Sequence, residues 1–266
     1  MQKMKIGRDT GIIKEIIMFL SLAFGIPGAC IILMKMIDNT TLSFVLYGIE
    51  GASPFLAAVF AILLQRKRVS LSSFLRAKYI ENLNIVACIL GIVAPLLILS
   101  FAKMISILLG DPFLTLVSPT PRKLVIIAWA LIAEELGWRG YLQDKLEVLL
   151  PNAFIPFVSG IIWALWHYHF LLSGSMKIPL LAFLLGCIFE SYGYFVITKY
   201  AKNNVVPACI WHFTGNLFFN MYRFDPHWHD GDISFYWITT VCYVINVFLF
   251  YLYEKQGKTP VLRKSQ

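Results

Sequence analysis

Apolar stretches long enough to cross a membrane follow one another along most of the chain. A membrane-spanning helix needs roughly 17–25 apolar residues, each rising about 1.5 Å. Eight stretches have this length: residues 16–34, 44–64, 85–107, 124–146, 154–172, 178–197, 205–222 and 235–253. Lipid leaves backbone polar groups unpaired, and the alternating pattern of barrel strands is absent from the sequence. The stretches therefore predict an all-α, polytopic membrane helix bundle of about eight transmembrane helices.

Composition agrees with this class. Of the 266 residues, 58% are hydrophobic and 14% are charged, against about 45–50% and about 25% in soluble domains. The sequence contains no internal repeat, linker or low-complexity tract, so residues 1–266 are predicted to form a single integral-membrane domain. All five cysteines lie in apolar stretches without C-x-x-C spacing, which favours small core residues over metal ligands.

The distribution of Lys and Arg predicts the orientation. With both termini in the cytoplasm, the cytoplasmic side receives sixteen of them, and the other side six, as the positive-inside rule requires. The sixteen are Lys3, Lys5, Arg8, Lys14, Arg66, Lys67, Arg68, Arg76, Lys78, Lys145, Lys199, Lys202, Lys255, Lys258, Arg263 and Lys264. Residues 69–84 predict an amphipathic helix on the cytoplasmic membrane surface. Topology explains the net charge of +8, and no basic, aromatic-rich patch suggests a nucleic-acid partner.

Ionisable side chains inside the apolar stretches are few. Each costs about 2.5–3.5 kcal/mol at the centre of a membrane helix, so such residues usually face a cavity and mark function. The candidates among them are Glu50, Glu134, Glu135, Arg139, His167, His169, Glu190 and His212, with Asn216 as an uncharged companion.

The fourth stretch contains AEELGWRGYL, residues 133–142. Glu135 and Arg139 are four residues apart and share a helix face, whereas Glu134 lies about 100° to one side. The spacing predicts a Glu135–Arg139 ion pair and leaves Glu134 free to hold or exchange a proton. An ion pair that only fixes the helix register is the alternative. Gly137 and Gly140 leave room for a neighbouring helix.

Two other stretches place polar side chains at the same spacing. Trp163 and His167 are four residues apart, so the indole can form one wall of the imidazole's pocket. His169 points away from both and is interpreted as a hydrogen-bonded helix contact. His212 and Asn216 repeat the spacing on the seventh stretch. Counting about 1.5 Å per residue places His167, His212 and Glu134 at comparable depth.

This set of groups suits hydrolysis in two ways. A carboxylate and an imidazole can activate a water molecule, while a second imidazole and a carboxamide can stabilise an oxyanion. Glu134, His167 and His212 are also the ligand types of a catalytic zinc site. No Ser or Cys lies at a recognisable spacing from a base, so a covalent mechanism is not favoured. The residues themselves leave the metal-free and zinc mechanisms open.

Three motifs in this order resemble a known family. Glu134-Glu135-x-x-x-Arg139, Trp163-x-x-x-His167 and His212-x-x-x-Asn216 are similar to those of the CAAX protease and bacteriocin-processing (CPBP) family of intramembrane endopeptidases. That family includes the Ras-converting type of CAAX prenyl protease. The resemblance covers mainly residues 124–221, which we predict to be the catalytic core. One departure is Trp163, because the second motif commonly begins with Phe.

The resemblance implies a role for each motif residue. Glu134 would activate the water with the help of His167, and His212 with Asn216 would stabilise the oxyanion. Glu135 and Arg139 would support the site. Family members are usually described as metalloproteases, although a metal-free glutamate mechanism has been argued for the prenyl-protease branch. We favour the metal-free form, because the motifs lack the paired histidines of H-E-x-x-H. Zinc held by Glu134, His167 and His212 is the alternative.

The substrate and two rival functions stay open. The family implies a membrane-associated peptide or protein in the bilayer, either prenylated and of CAAX type or related to bacteriocin processing. A proton-coupled transporter would also need buried ionisable groups, but the sequence shows no inverted repeat. A non-catalytic membrane binding or immunity protein is the other alternative.

Three further polar sites lie outside the motifs. Glu50 in YGIEGASPF is interpreted as a polar contact near the outer face rather than part of a substrate channel. For Glu190 a polar contact is likewise favoured, with a cavity-lining role as the alternative. His227 and His229 lie in a loop with three aspartates, where a solvated loop is favoured over a metal site.

Overall fold

The computed structural model describes residues 2–37, 39–65, 69–174 and 176–255. Six of the basic residues counted toward the predicted orientation lie outside the described residues: Arg66, Lys67, Arg68, Lys258, Arg263 and Lys264. The cytoplasmic location of both termini stays a prediction.

Helices make up about four fifths of the described chain. They are α1 (Gln2–Met36), α2 (Thr40–Gly51), α3 (Ser53–Leu64), α4 (Leu71–Tyr79), α5 (Ile85–Leu108), α6 (Pro121–Ala133), a π-helix (Leu136–Leu142), α7 (Gln143–Leu149), α8 (Ile155–Trp166), α9 (Tyr168–Leu172), α10 (Leu180–Tyr200), α11 (Val206–Met221) and α12 (Ser234–Lys255). Two short 3₁₀ turns cover Asn152–Phe154 and Pro226–His229. The described ranges contain no β-strand, so the predicted all-α membrane bundle is confirmed.

Six of the eight predicted stretches have membrane-spanning length and composition in the structure. Five are continuous or nearly so: Thr10–Met36, Ile85–Leu108, Asn152–Leu172, Leu180–Tyr200 and Ser234–Lys255. The sixth is the pair of α2 and α3, which has the length and composition of one span only when the two helices are taken together, with a 61° bend between them. Large apolar side chains such as Ile85, Leu97 and Phe248 are exposed on the outside of the bundle, as expected where lipid is the solvent.

The other two predicted stretches are not single spanning helices. The predicted helix over residues 124–146 is interrupted, because α6 ends at Ala133 and a π-helix separates it from α7. Over residues 205–222, α11 has only 16 residues, or about 24 Å at 1.5 Å per residue. That length is shorter than the roughly 30 Å hydrocarbon core, and α11 lies packed against α5, α6 and α10.

The predicted surface helix is present as α4. Its N-terminus is capped by Ser70, whose hydroxyl accepts from the Ser73 amide at 3.2 Å. Phe74 and Lys78 are buried on its inner face, and Lys78 Nζ contacts Asp144 Oδ2 at 2.6 Å. The contact attaches α4 to α7. Its location at the cytoplasmic membrane surface stays a prediction.

Close backbone contact between α8 and α10 forms the centre of the bundle. A Cβ added to Gly160 would lie 2.6 Å from Ile188 Cα and 3.0 Å from the Cys187 carbonyl oxygen. Only glycine lets the two helices approach this closely, as small residues do in membrane bundles. All five cysteines are buried and unpaired, as predicted.

We expect Gly160→Ala to destabilise the protein by about 1–3 kcal/mol, because the added methyl group must push two backbones apart. Thermal unfolding in detergent measures the change. Gly25→Ala is the matched control, since no atom outside its own helix lies within 4 Å of the added Cβ. A midpoint for Gly160→Ala equal to that of the control would contradict the close contact.

Candidate active site

One cavity brings the predicted residues together. It encloses about 380 Å³ between α2, α6, α8, α9, α10, α11 and α12. Its polar lining includes Glu134, Trp163, His167, Glu190, His212 and Asn216, and apolar side chains such as Ile127, Phe170 and Phe183 form other parts of its wall. Glu134, His167, His212 and Asn216 therefore face a common space, although they come from three separate segments of the chain.

Glu134 lies where α6 ends. Its backbone has φ −118° and ψ −46°, and its carbonyl accepts hydrogen bonds from Gly137 N at 2.9 Å and Trp138 N at 3.1 Å. The π-helix begins two residues later, at Leu136. Such local departures from α-helical geometry often occur at functional sites. The interruption lets two adjacent glutamates occupy different surroundings.

The Glu134 carboxylate has a hydrogen-bond donor that was not predicted. Trp163 Nε1 donates to Glu134 Oε2 at 2.9 Å, while Glu134 Oε1 lies 4.0 Å from His212 Nε2. Trp163 also packs edge-on against His167, with ring centroids 5.6 Å apart, so the predicted wall of the imidazole pocket is present. A phenylalanine, the common residue in the resembling motif, would provide the wall without the N–H.

Glu135 is fully buried behind the cavity. Its Oε1 atom accepts from Arg139 Nη1 at 3.1 Å, which confirms the predicted pair. The same oxygen lies 2.8 Å from His212 Nδ1. Because Glu135 and His212 are 77 positions apart in the chain, sequence spacing gave no signal for this contact.

Arg139 has several partners besides Glu135. Its Nη2 atom donates to Ser191 Oγ at 3.3 Å, and its guanidinium lies 4.0 Å from the ring centroid of Tyr194 and 4.9 Å from that of Trp163. Aromatic faces attract a desolvated cation. The arginine is thus stabilised where water does not reach it.

Both cavity histidines direct one nitrogen to a protein acceptor. His167 lies between α8 and α9, and its Nδ1 atom is 2.7 Å from the Trp163 carbonyl oxygen. His212 Nδ1 faces Glu135 in the same way. Assigning the proton of each Nδ1 to these bonds leaves both Nε2 atoms available to a ligand.

The remaining predicted residues divide between the cavity and other places. Asn216 lines the cavity one turn beyond His212, and Glu190 lines it with its Oε1 accepting from the Tyr194 hydroxyl at 3.2 Å. Glu190 thus has a polar contact, as favoured, and also a place in the cavity lining. Glu50 and His169 lie outside the cavity lining, with Glu50 Oε1 3.3 Å from His169 Nε2, so the contact interpretation holds for both.

The outer loop forms contacts of its own. His227 Nδ1 lies 2.8 Å from Asp225 Oδ1, and His229 Nε2 lies 2.7 Å from the Arg223 carbonyl oxygen. Each imidazole is thus occupied by a nearby acceptor.

The donor types of Glu134, His167 and His212 are those that zinc prefers. Their arrangement does not match, because within residues 2–37, 39–65, 69–174 and 176–255 no three His, Cys, Asp or Glu side chains are placed to hold a metal ion. The zinc alternative therefore requires side chains to move from the positions seen in the structure.

Comparison with known proteins identifies the segment that carries the site. The family model of the type II CAAX prenyl endopeptidase Rce1-like proteins matches residues 116–218. The match includes all three motifs and confirms the resemblance. No curated protein matched the chain.

We expect Trp163→Phe to lower the rate of the reaction catalysed at this site by about tenfold. A hydrogen bond to a charged group contributes about 1.5–3 kcal/mol, and part of this holds Glu134 in place. Trp211→Phe is the matched control, because Trp211 is also buried but its Nε1 has no hydrogen-bond partner. Equal turnover numbers for the two variants would show that the indole N–H is unimportant.

Proposed function

We propose that the protein hydrolyses a peptide bond of a membrane-associated protein, and that its substrates are prenylated CAAX-type chains, because residues 116–218 match the family model of the Rce1-like type II CAAX prenyl endopeptidases. The observation that carries the proposal is the convergence of Glu134, His167, His212 and Asn216 on one cavity among membrane helices. Such a cavity suits a peptide whose lipid anchor stays in the bilayer.

Water activation is assigned to Glu134 and His167. Trp163 occupies Glu134 Oε2, so Oε1 is the carboxylate oxygen available to a water molecule. His167 Nε2 accepts the second hydrogen bond from that water, because its Nδ1 proton is directed to the Trp163 carbonyl. The water oxygen attacks the scissile carbonyl carbon, and its proton passes to Glu134. The same proton then moves to the leaving nitrogen as the C–N bond breaks.

Oxyanion stabilisation is assigned to His212 and Asn216. Glu135 accepts the Nδ1 proton of His212 and fixes the orientation of the ring. In the imidazolium form, which this buried carboxylate favours, the second proton, on Nε2, is directed toward the cavity. The Asn216 carboxamide supplies the second donor from the same helix face. Donors of this kind contribute about 2.7–4 kcal/mol each to the transition state in well-studied enzymes.

Cleavage of a farnesylated CAAX peptide by the purified protein in lipid nanodiscs tests the proposal. We expect Glu134→Gln to lower kcat by at least about 10³-fold, because the water loses its general base. Glu147→Gln is the matched control, since Glu147 contacts Lys199 on another part of the bundle. Proton flux that is lost in Glu134→Gln, with no cleavage by the unaltered protein, would instead favour a transporter.

Chelation separates the two mechanisms. We expect activity to survive dialysis against 1,10-phenanthroline, because the proposed steps use only side chains and water. Inductively coupled plasma mass spectrometry before and after dialysis measures the metal content. Activity that is lost on dialysis and restored by zinc alone would replace the glutamate mechanism with a metal-dependent one.

A further inference from the structure

A bent span outside the matched segment contacts both catalytic motifs. It consists of α2 and α3 and lies in residues 40–64, whereas the family match covers 116–218. We infer that this bent span positions Glu134 and His167 relative to each other, and that the Glu50–His169 contact is the part of it that holds His167. The inference rests on the proposed function, because it concerns the residues that activate the water.

The first contact is a set of hydrogen bonds that hold Trp166, the residue before His167. Trp166 is fully buried, and its Nε1 atom donates both to Ser53 Oγ at 3.0 Å and to the Ala23 carbonyl at 3.1 Å. Ser53 Oγ donates to the same Ala23 carbonyl at 2.9 Å. Ser53 is the first residue of α3, so the bend is what brings its hydroxyl to Trp166.

The second contact is between Glu50 and His169, which lies two positions after His167. His169 Nδ1 is 2.7 Å from the Trp166 carbonyl, and its Nε2 lies 3.3 Å from Glu50 Oε1. Both side chains are almost completely buried, at 0% and 2% exposed. Among the described residues, neither Glu50 Oε2 nor His169 Nε2 has a hydrogen-bond partner, so the 3.3 Å approach is a buried contact between two polar groups rather than a hydrogen bond. A buried pair of this kind is costly to break, because the remaining polar group has no replacement partner.

The rings of this segment form a continuous stack with His167. The His167 and His169 rings are nearly parallel, with an interplanar angle of 11° and centroids 6.2 Å apart. Trp166 packs edge-on against both, at 4.8 Å and 4.7 Å. A displacement of His169 is therefore transmitted to the His167 ring.

The third contact is between the beginning of α3 and the first motif, which contains Glu134. A Cβ added to Gly137 would lie 2.5 Å from the Pro54 carbonyl oxygen. Gly137 follows Glu134 by three residues and donates its amide to the Glu134 carbonyl at 2.9 Å. The beginning of α3 thus touches the turn that carries Glu134 as well as the segment that carries His167.

Glu50 and His169 are positioning residues rather than catalytic ones. Neither lines the cavity, so neither can touch substrate in this arrangement. The role predicts a loss of turnover with little change in substrate affinity, because a misplacement of about 1 Å can cost about 10²-fold in rate.

The experiment compares Glu50→Leu, Glu50→Gln and the double variant Glu50→Leu/His169→Phe in nanodiscs. We expect Glu50→Leu to lower kcat about 10- to 100-fold with KM nearly unchanged. Glu50→Gln should recover most of this loss, because its amide N–H can donate to His169 Nε2. The double variant should recover part of the thermal midpoint but not kcat, since it removes the Glu50–His169 pair as a whole while the Trp166 carbonyl loses the His169 Nδ1 donor. Ser106→Ala, which removes a buried hydrogen bond of α5, controls for general destabilisation.

A second readout needs no substrate. Carbethoxylation of His167 by diethyl pyrocarbonate, followed by mass spectrometry, measures how firmly the ring is held. We expect it to be faster in Glu50→Leu than in the unaltered protein, and near the unaltered rate in Glu50→Gln. If kcat follows the thermal midpoint in every variant, or if His167 reactivity is the same in all, the positioning role is wrong. If no variant cleaves any peptide, the proposed function fails, while His167 reactivity still decides this inference.

Discussion

The site depends on one buried negative charge that has more than one partner. Glu135 is fully buried in a chain surrounded by lipid, where an unpaired carboxylate is strongly disfavoured. Its Oε1 atom is shared by Arg139 and His212. The aromatic rings of Tyr194 and Trp163 then contact the guanidinium. A carboxylate that neutralises an arginine and orients a histidine joins the first motif to the third.

The two adjacent glutamates at the end of α6 have different surroundings. Glu134, at the end of α6, faces the cavity, whereas Glu135 faces the interior of the bundle. In the protein, one contacts the indole of Trp163 and the other the guanidinium of Arg139. The interruption of the fourth stretch is therefore part of how the site is built. It also explains why this stretch fails as a continuous membrane helix.

Sequence reasoning identified groups whose partners are close in the chain. Hydropathy located six of the spans, and four-residue spacing identified the Glu135–Arg139 pair and the Trp163–His167 contact. It placed Glu134, His167, His212 and Asn216 together only through estimated depth and the family resemblance. Contacts between distant segments were missed, such as Glu135 with His212. Periodicity assumes a regular helix, so it also could not reveal the π-helix or the short α11.

The bend between α2 and α3 has a consequence for what counts as the catalytic unit. The family match begins at residue 116, yet Trp166, His169 and Gly137 all rest against residues 50–54. Expressed without the first three helices, the matched segment would present these surfaces to lipid, which offers neither a hydroxyl for Trp166 nor a carboxylate for His169. The three motifs lie within the matched segment, but the side chains and backbone that surround Trp166, His169 and Gly137 come from helices outside it.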